Sequence, residues 1–141
     1  MPTAPPTIDE IRENFDFLET WEDRFQYLID LGKKLPPFPD DWKDEAHRVH
    51  GCQSNVWLNL DVNAQEQIEL DAVSDAHIVN GLIAIVRAQY HGTPADAAVS
   101  ADTEALLREL GLETHLSPTR RNGVHAMIGR IRELARAQMA G

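Results

Sequence analysis

The feature that most constrains the fold is a change of hydrophobic period in the middle of the chain. The stretches Val56–Asp61 and Gln67–Ala72 alternate apolar and polar side chains, and the connection between them contains the polar run NAQE. Such alternation is typical of two half-buried strands joined as a hairpin. The segment Arg48–His50 is predicted to add a short third strand.

On both sides of this region, apolar residues recur at helical spacing. Thr7 is predicted to cap a helix that begins at Ile8, and Thr20 to cap a second helix that ends before LPPFP. A broad apolar face over residues 76–90 predicts a buried central helix. Further helix starts are predicted at Thr93-Pro94, Asp102 and Ser117-Pro118. The chain is therefore predicted to be α+β, with a small antiparallel sheet of about three strands packed against helices.

The composition is that of one soluble globular domain: of 141 residues, 43% are apolar and 26% charged. The proline-rich residues 1–7 are predicted to be a flexible N-terminus, and residues 8–141 to form the domain. No signal-peptide pattern and no apolar run of membrane-spanning length is visible in the sequence. We therefore expect a cytoplasmic protein without a membrane partner.

The charge is acidic overall and unevenly distributed. The net charge of −10 argues against nonspecific binding of nucleic acid, whose phosphates need cations. Residues 1–50 carry 12 acidic and 6 basic side chains, residues 51–115 carry 10 and 2, and residues 116–141 carry 1 and 5. We expect the basic C-terminal segment to be a solvated charged helix, or to face the acidic remainder or a partner.

The single cysteine, Cys52, lies in the segment HRVHGCQSNVWL, directly before the first predicted strand. A lone cysteine is most often a small buried apolar residue. The turn-forming residues on both sides of Cys52 instead indicate a loop tip, where functional groups are commonly displayed. His47 and His50 are potential metal ligands beside Cys52, but structural zinc usually takes four ligands and no CxxC pair is present. We therefore predict no metal.

Three thiol chemistries remain for Cys52. A Cys–His hydrolase needs a histidine, such as His125 or His77, beside the thiol, together with an orienting group and an oxyanion hole. A sensor that acts through a sulfenic acid would have no resolving cysteine in this chain. A sulfur carrier needs only one accessible thiolate that accepts a sulfur atom and passes it on.

The segment GCQSNVWL resembles the GCQS-x-VW loop of the SufE family, the sulfur acceptors of cysteine desulfurases in iron–sulfur cluster assembly. Three further segments resemble blocks of this family in the same order: WEDRFQYLIDLGKKLP, SDAHIVNGLIAIV and LSPTRRNGVHAMIGRIR. The resemblance covers about residues 8–139. It implies an α+β fold shared with the NifU and IscU type of scaffold protein.

The resemblance also implies a function for the loop. Cys52 would take persulfide sulfur from a desulfurase, with Gly51, Gln53 and Ser54 as its loop neighbours, and the sulfur would pass to a cluster-assembly scaffold complex. Pyridoxal phosphate (PLP) would belong to the desulfurase, so no cofactor is expected in this chain. Whether the desulfurase is SufS-like or CsdA-like stays open.

Two further residues match family motifs. Arg120 falls on the arginine of the L-[ST]-P-x-R helix start, which implies a cation near the thiolate or persulfide, where it would lower the thiol pKa. Asp75 matches the aspartate of the SD block, which predicts either N-capping of the central helix through Ser74 or Asp75, or a partner contact of Asp75. His47, His50 and Arg121 inherit no role from the resemblance.

Overall fold

The computed structural model describes residues 6–51 and 54–140, so Cys52 and Gln53 lie outside the described residues. Within these ranges the fold is α+β, as the hydrophobic period predicts. Its elements are α1 (Ile8–Phe17), α2 (Trp21–Gly32), a short 3-10 helix (Asp40–Trp42), β1 (Val56–Val62), β2 (Ile68–Ser74), α3 (His77–Tyr90), α4 (Ala95–Ser100), α5 (Thr103–Glu109), α6 (Leu112–His115) and α7 (Pro118–Ala140). None of the helices in these ranges combines the length and apolar character needed to cross a membrane. Of the predicted flexible segment 1–7, only Pro6 and Thr7 fall within the described residues.

The predicted hairpin is present as the antiparallel pair of β1 and β2, in a register that runs from Val56 opposite Ser74 to Val62 opposite Ile68. The sheet of the described residues has these two strands rather than about three. The predicted third strand is reduced to one isolated bridge between Arg48 and Trp57. Turns at residues 45–47 and 50–51 flank the bridge, and they leave too little extended chain for a ladder.

Four of the predicted capping side chains accept a hydrogen bond at the start of a helix. Backbone N–H groups donate to the four side chains as predicted: Glu10 to Thr7 (3.2 Å), Asp23 to Thr20 (3.2 Å), Ala105 to Asp102 (3.0 Å) and Arg120 to Ser117 (3.3 Å). The prediction for Thr93-Pro94 is wrong by one residue, because Pro94 is the N-cap of α4 and not its first helical residue. An isolated bridge with Gln67 pairs Pro94 with the hairpin, and its backbone is extended there.

The core lies between the hairpin and the two longest helices. Alternate strand residues are buried, and β2 packs on α3 while β1 packs on α7. From α7 the predicted inward residues are buried: Val124, Met127, Ile128 and Ile131. Leu134, also predicted to face inward, is only half-buried. The first residue of β1, Val56, is fully buried, so the strand enters the core directly after the loop.

The buried position of α3 depends on a close approach to α2. A Cβ atom added at Gly81 would lie 2.1 Å from the carbonyl oxygen of Leu28. One added at Gly32 would lie 2.8 Å from the Cβ of Asn80. The absence of side chains at Gly32 and Gly81 therefore lets the two helix backbones touch, and this contact holds α3 beneath the hairpin.

We predict opposite effects for alanine at two helical glycines. Gly81→Ala should lower the free energy of unfolding by about 2 kcal/mol or more, because the new methyl group overlaps the Leu28 carbonyl. Gly129→Ala is the matched control, because a Cβ there has no atom within 4 Å. This variant should be more stable than the wild type by up to about 1 kcal/mol. Urea denaturation measures both; a Gly81→Ala protein as stable as the wild type would contradict the close helix contact.

Candidate functional site

The two described ends of the cysteine loop lie against different parts of the molecule. Gly51 has φ +93°, a left-handed conformation that favours glycine, and a Cβ added there would lie 3.2 Å from the Cβ of Ala126 on α7. Ser54 is half-buried and lines a cavity between the hairpin, α3 and α7. The described chain therefore reaches residue 51 beside α7, and it continues from residue 54 in the lining of this cavity.

The cavity beside Ser54 has a volume of about 330 Å³. Its walls are apolar and come from three elements: Val56 of β1, Val79 and Leu82 of α3, and Val124 and Met127 of α7. Its polar lining comes from the loop and from the start of α7: Ser54, Ser117, Thr119 and Arg120. The site thus combines an apolar interior with hydroxyl groups and one cation.

Arg120 supplies that cation from the first turn of α7. Its backbone N–H donates to Ser117 Oγ, but its guanidinium has no hydrogen-bond or ion-pair partner within residues 6–51 and 54–140. A cation at a helix N-terminus is opposed by the helix dipole. Helix formation therefore gains nothing from this charge, and Arg120 remains available to an anion near Ser54.

The neighbouring Arg121 has a different environment. Its Nη1 donates to the backbone carbonyl of Glu113 at 2.8 Å, and the residue is half-buried. The side chain therefore ties the start of α7 to α6. Sequence reasoning left Arg121 without a role, and the structure gives it an anchoring one.

Asp75 fastens the far end of the cysteine loop. Its Oδ1 accepts a hydrogen bond from the backbone N–H of Asn55 at 3.2 Å, and its Oδ2 accepts one from Asn55 Nδ2 at 2.8 Å. The N-cap hypothesis for Asp75 is wrong, because α3 begins two residues later, at His77, and its N-cap Ala76 has no side-chain cap bond. The alternative role of Asp75, a partner contact, stays a prediction.

Sequence reasoning also missed Asn80, which holds the end of β2. Its Oδ1 accepts from Ser74 N–H at 2.7 Å, and its Nδ2 donates to the Ser74 carbonyl at 2.9 Å. The signal was an amide side chain in the first turn of an otherwise apolar helix. Together, Asn80 and Asp75 fix the strand end opposite the loop.

The two histidines before the loop each face a carboxylate close by in the chain. His47 Nδ1 lies 2.7 Å from Asp44 Oδ1, and this hydrogen bond holds the pKa of Asp44 below its usual value. His50 Nε2 lies 2.9 Å from Glu45 Oε1. In the described parts of the chain, no group of three or more His, Cys, Asp or Glu side chains is arranged to hold a metal.

The candidate general bases lie away from the cavity lining. His125 Nε2 is 3.1 Å from Glu113 Oε1, on the side of α7 that faces α6. At 100° per residue, His125 and the cavity-lining Gly123 lie roughly on opposite sides of α7. His77 is exposed at the start of α3. Within the described residues, no imidazole lines the cavity beside Arg120.

The basic C-terminal segment partly faces the acidic remainder, as one of the sequence alternatives expects. Arg132 donates from Nη1 and Nη2 to the two carboxylate oxygens of Glu104, at 2.9 and 2.8 Å. These hydrogen bonds lower the pKa of Glu104 and raise that of Arg132. The pair fastens α7 to α5. Arg120, near the other end of α7, lines the cavity beside Ser54.

Comparison with known proteins decides the family. The model of the SufE family, described as an Fe-S metabolism associated domain, matches residues 9–135. The chain belongs to the SufE family. The resemblance seen in the GCQS segment is therefore confirmed, and an association with iron–sulfur metabolism comes with it.

Two SufE-like relatives and one solved structure agree with this assignment. An uncharacterized SufE-like protein of Rhizobium etli is 39% identical over 95% of this chain and 93% of its own length. One of Rhizobium meliloti is 38% identical over 94% of this chain and 97% of its own length. The solution structure of a hypothetical protein from Thermus thermophilus superposes with a TM-score of 0.78 at 26% identity, over 99% of this chain and 100% of that one. The SufE-type fold therefore extends along nearly the whole chain.

The Asp75–Asn55 contact yields a prediction that separates a loop clamp from a helix cap. Asp75→Ser should destabilise the protein by about 1 kcal/mol, because one hydroxyl cannot replace two carboxylate acceptors. Asn55→Ala should cost a similar amount, and the double variant should cost less than the sum of the two. Urea denaturation of the four proteins measures this. If Asp75→Ser keeps wild-type stability, the clamp is wrong, because serine is as good an N-cap as aspartate.

Proposed function

We propose that this chain accepts persulfide sulfur on Cys52 from a PLP-dependent cysteine desulfurase and relays it to an iron–sulfur cluster assembly complex. Membership of a family associated with iron–sulfur metabolism supports the setting. The described residues on either side of the loop support Cys52 as the acceptor. In the sequence, Cys52 directly follows Gly51 and stands two residues before Ser54, and these are the described residues nearest to it on either side.

The transfer step is an exchange between two sulfur–sulfur bonds. The Cys52 thiolate attacks the outer sulfur of a persulfide on the donor cysteine. A new S–S bond forms at Cys52 while the donor S–S bond breaks, and the donor cysteine leaves as a thiolate. One persulfide is consumed and one is formed, so the step involves no net oxidation or reduction. It therefore calls for no cofactor in this chain, and PLP belongs to the desulfurase.

The observation that carries the proposal is Arg120, which lines the same cavity as Ser54 and whose guanidinium has no partner inside the described ranges. Only the thiolate is a nucleophile, and the ordinary pKa of a cysteine thiol, about 8.5, leaves most of it protonated at neutral pH. A nearby cation stabilises the thiolate and the anionic persulfide that follows. Arg120 would thus favour both the attack and its product without taking part in a covalent step.

A stand-alone Cys–His hydrolase is the alternative. That mechanism needs an imidazole in hydrogen-bond reach of the thiol. Gly51 and Ser54 lie near Ala126 and Arg120, whereas His125 faces Glu113 on the α6 side of α7. The described residues therefore favour a carrier, which depends on its partner for chemistry and acts as a desulfurase activator.

The first test of this function is the substitution Cys52→Ser. Incubated with a cysteine desulfurase and free cysteine, the wild type should gain one sulfur atom by intact-protein mass spectrometry, and Cys52→Ser none. The variant should keep the wild-type circular dichroism spectrum and also fail to stimulate the desulfurase. Full stimulation by Cys52→Ser would falsify the persulfide mechanism. Ester or amide hydrolysis by the isolated wild type would favour the hydrolase.

The second test concerns Arg120 and uses its neighbour as the control. Arg120→Ala should shift the pH profile of Cys52 alkylation upward and slow sulfur uptake about tenfold at neutral pH, the effect of a thiol pKa raised by about one unit. Stability should stay unchanged or rise by about 0.3–1 kcal/mol, because a cation opposed to the helix dipole is lost.

Arg121→Ala should behave in the opposite way. It should lose stability with its hydrogen bond to Glu113, yet keep the wild-type alkylation profile. Arg120→Lys should retain most of the wild-type profile, since the charge is kept. An unchanged profile in Arg120→Ala, or an equal shift in Arg121→Ala, would exclude the proposed role of Arg120.

A further inference from the structure

A second groove lies beside the residues that precede the cysteine loop, and Arg120 is not among its lining residues. It has a volume of about 570 Å³ and runs between residues 45–50 and one face of α7. Ala126 and Gly129 line it from α7, and nothing lies within 4 Å of a Cβ added at Gly129. A Cβ added at Gly51 would lie 3.2 Å from the Cβ of Ala126, so this wall of the groove lies beside the start of the cysteine loop.

Arg48, in this groove, differs from the other partly buried arginines. Seven arginines in the described ranges are half-buried. Six of them bind a carboxylate or a backbone carbonyl: Arg12, Arg24, Arg87, Arg121, Arg130 and Arg132. Arg48 is the seventh, and its guanidinium has no hydrogen-bond or ion-pair partner in the part of the chain that the structure describes.

The groove itself does not satisfy this cation. Its two carboxylates are already engaged, Glu45 with His50 at 2.9 Å and Glu133 with Arg130 at 3.1 Å. Within the described residues, the Arg48 side chain thus lines the groove without a partner from its walls. A guanidinium matches a carboxylate in shape, with two parallel N–H donors for two oxygens. The groove therefore suits a carboxylate from outside the chain.

We propose that this groove receives an aspartate or glutamate side chain of the protein that donates sulfur to Cys52, and that Arg48 binds its carboxylate. The inference rests on the proposed function, because a donor whose cysteine reaches Cys52 must cover the surface beside the loop. Because Ala126 and Gly129 are small residues, their wall of the groove leaves room for the incoming chain. Arg48 thus acts in docking, and Arg120 acts in chemistry.

The first experiment measures docking apart from transfer. Binding of a purified cysteine desulfurase is titrated with this protein in the Cys52→Ser background, so that no sulfur moves. Adding Arg48→Ala should weaken binding about tenfold, the loss expected for one charge-assisted hydrogen-bonded contact. In the same background, Arg48→Lys should bind more weakly than the Cys52→Ser protein and more tightly than Arg48→Ala. Arg48→Glu should bind more weakly than Arg48→Ala. The matched control is Arg108→Ala on α5, an exposed arginine that should leave binding unchanged.

A second variant separates docking from folding. Gly129→Gln places a side chain in the groove without meeting another atom at its Cβ, and it replaces glycine in a helix. This protein should be at least as stable as the wild type. It should nevertheless bind the desulfurase several-fold more weakly. A misfolding artefact would instead lower stability and binding together.

The outcomes distinguish this inference from the proposed function. If Arg48→Ala and Gly129→Gln both bind as tightly as their background while wild-type Cys52 is loaded with sulfur, the groove proposal is wrong and the carrier function stands. If wild-type Cys52 gains no sulfur although the desulfurase binds, the carrier function is wrong. Weakened binding in both Arg48→Ala and Gly129→Gln, with Arg108→Ala unchanged, supports the groove as the docking site.

Discussion

Burial of one face of the β1–β2 hairpin against α3 and α7 is the constraint on which the site depends. Val56 illustrates it, because this first residue of β1 is fully buried and also forms a wall of the cavity beside Ser54. Complete burial of a valine or leucine contributes about 1.5–3 kcal/mol, more than the single hydrogen bonds at the loop ends. The cysteine loop is therefore attached to the most firmly held part of the molecule.

This attachment would hold the loop in place for the proposed chemistry. The chain before the loop is held by the bridge between Arg48 and Trp57, in which Val49 N–H donates to the Val56 carbonyl at 2.9 Å. The chain after it is held by Asp75. These contacts hold the described chain on both sides of residues 52 and 53. In the proposed complex, Arg120 and Arg48 line two different cavities near the described ends of the loop.

Much of the fold could be predicted because it depends on short-range patterns. Alternation over residues 56–61 and 67–72 indicates the hairpin, and Thr7, Thr20 and Ser117 indicate helix starts through bonds to residues three positions away. The prediction of a third strand failed because the length of extended chain in that segment depends on the turns that flank it in the structure. Hydrogen bonds between residues far apart in the sequence also cannot be predicted from sequence patterns, as the role of Asp75 shows. Its partner Asn55 lies twenty residues away in the sequence, whereas the predicted capping bond joins residues that are close in the sequence.

The charged residues likewise divide into those that the sequence could indicate and those whose role only the structure shows. The GCQS segment and the arginine of the α7 start pointed to Cys52 and Arg120 through resemblance, whereas the environments of Arg48 and Arg121 followed only from the packing of α7. The central claim, sulfur transfer to Cys52, is tested most directly by a single turnover. A desulfurase carrying one persulfide, with its cysteine substrate removed, is mixed with an equal amount of this protein and followed by mass spectrometry of both chains. The account predicts that the desulfurase loses one sulfur atom at the rate at which the Cys52 peptide gains it. A persulfide that stays on the desulfurase, with no gain of sulfur at Cys52, would contradict this transfer.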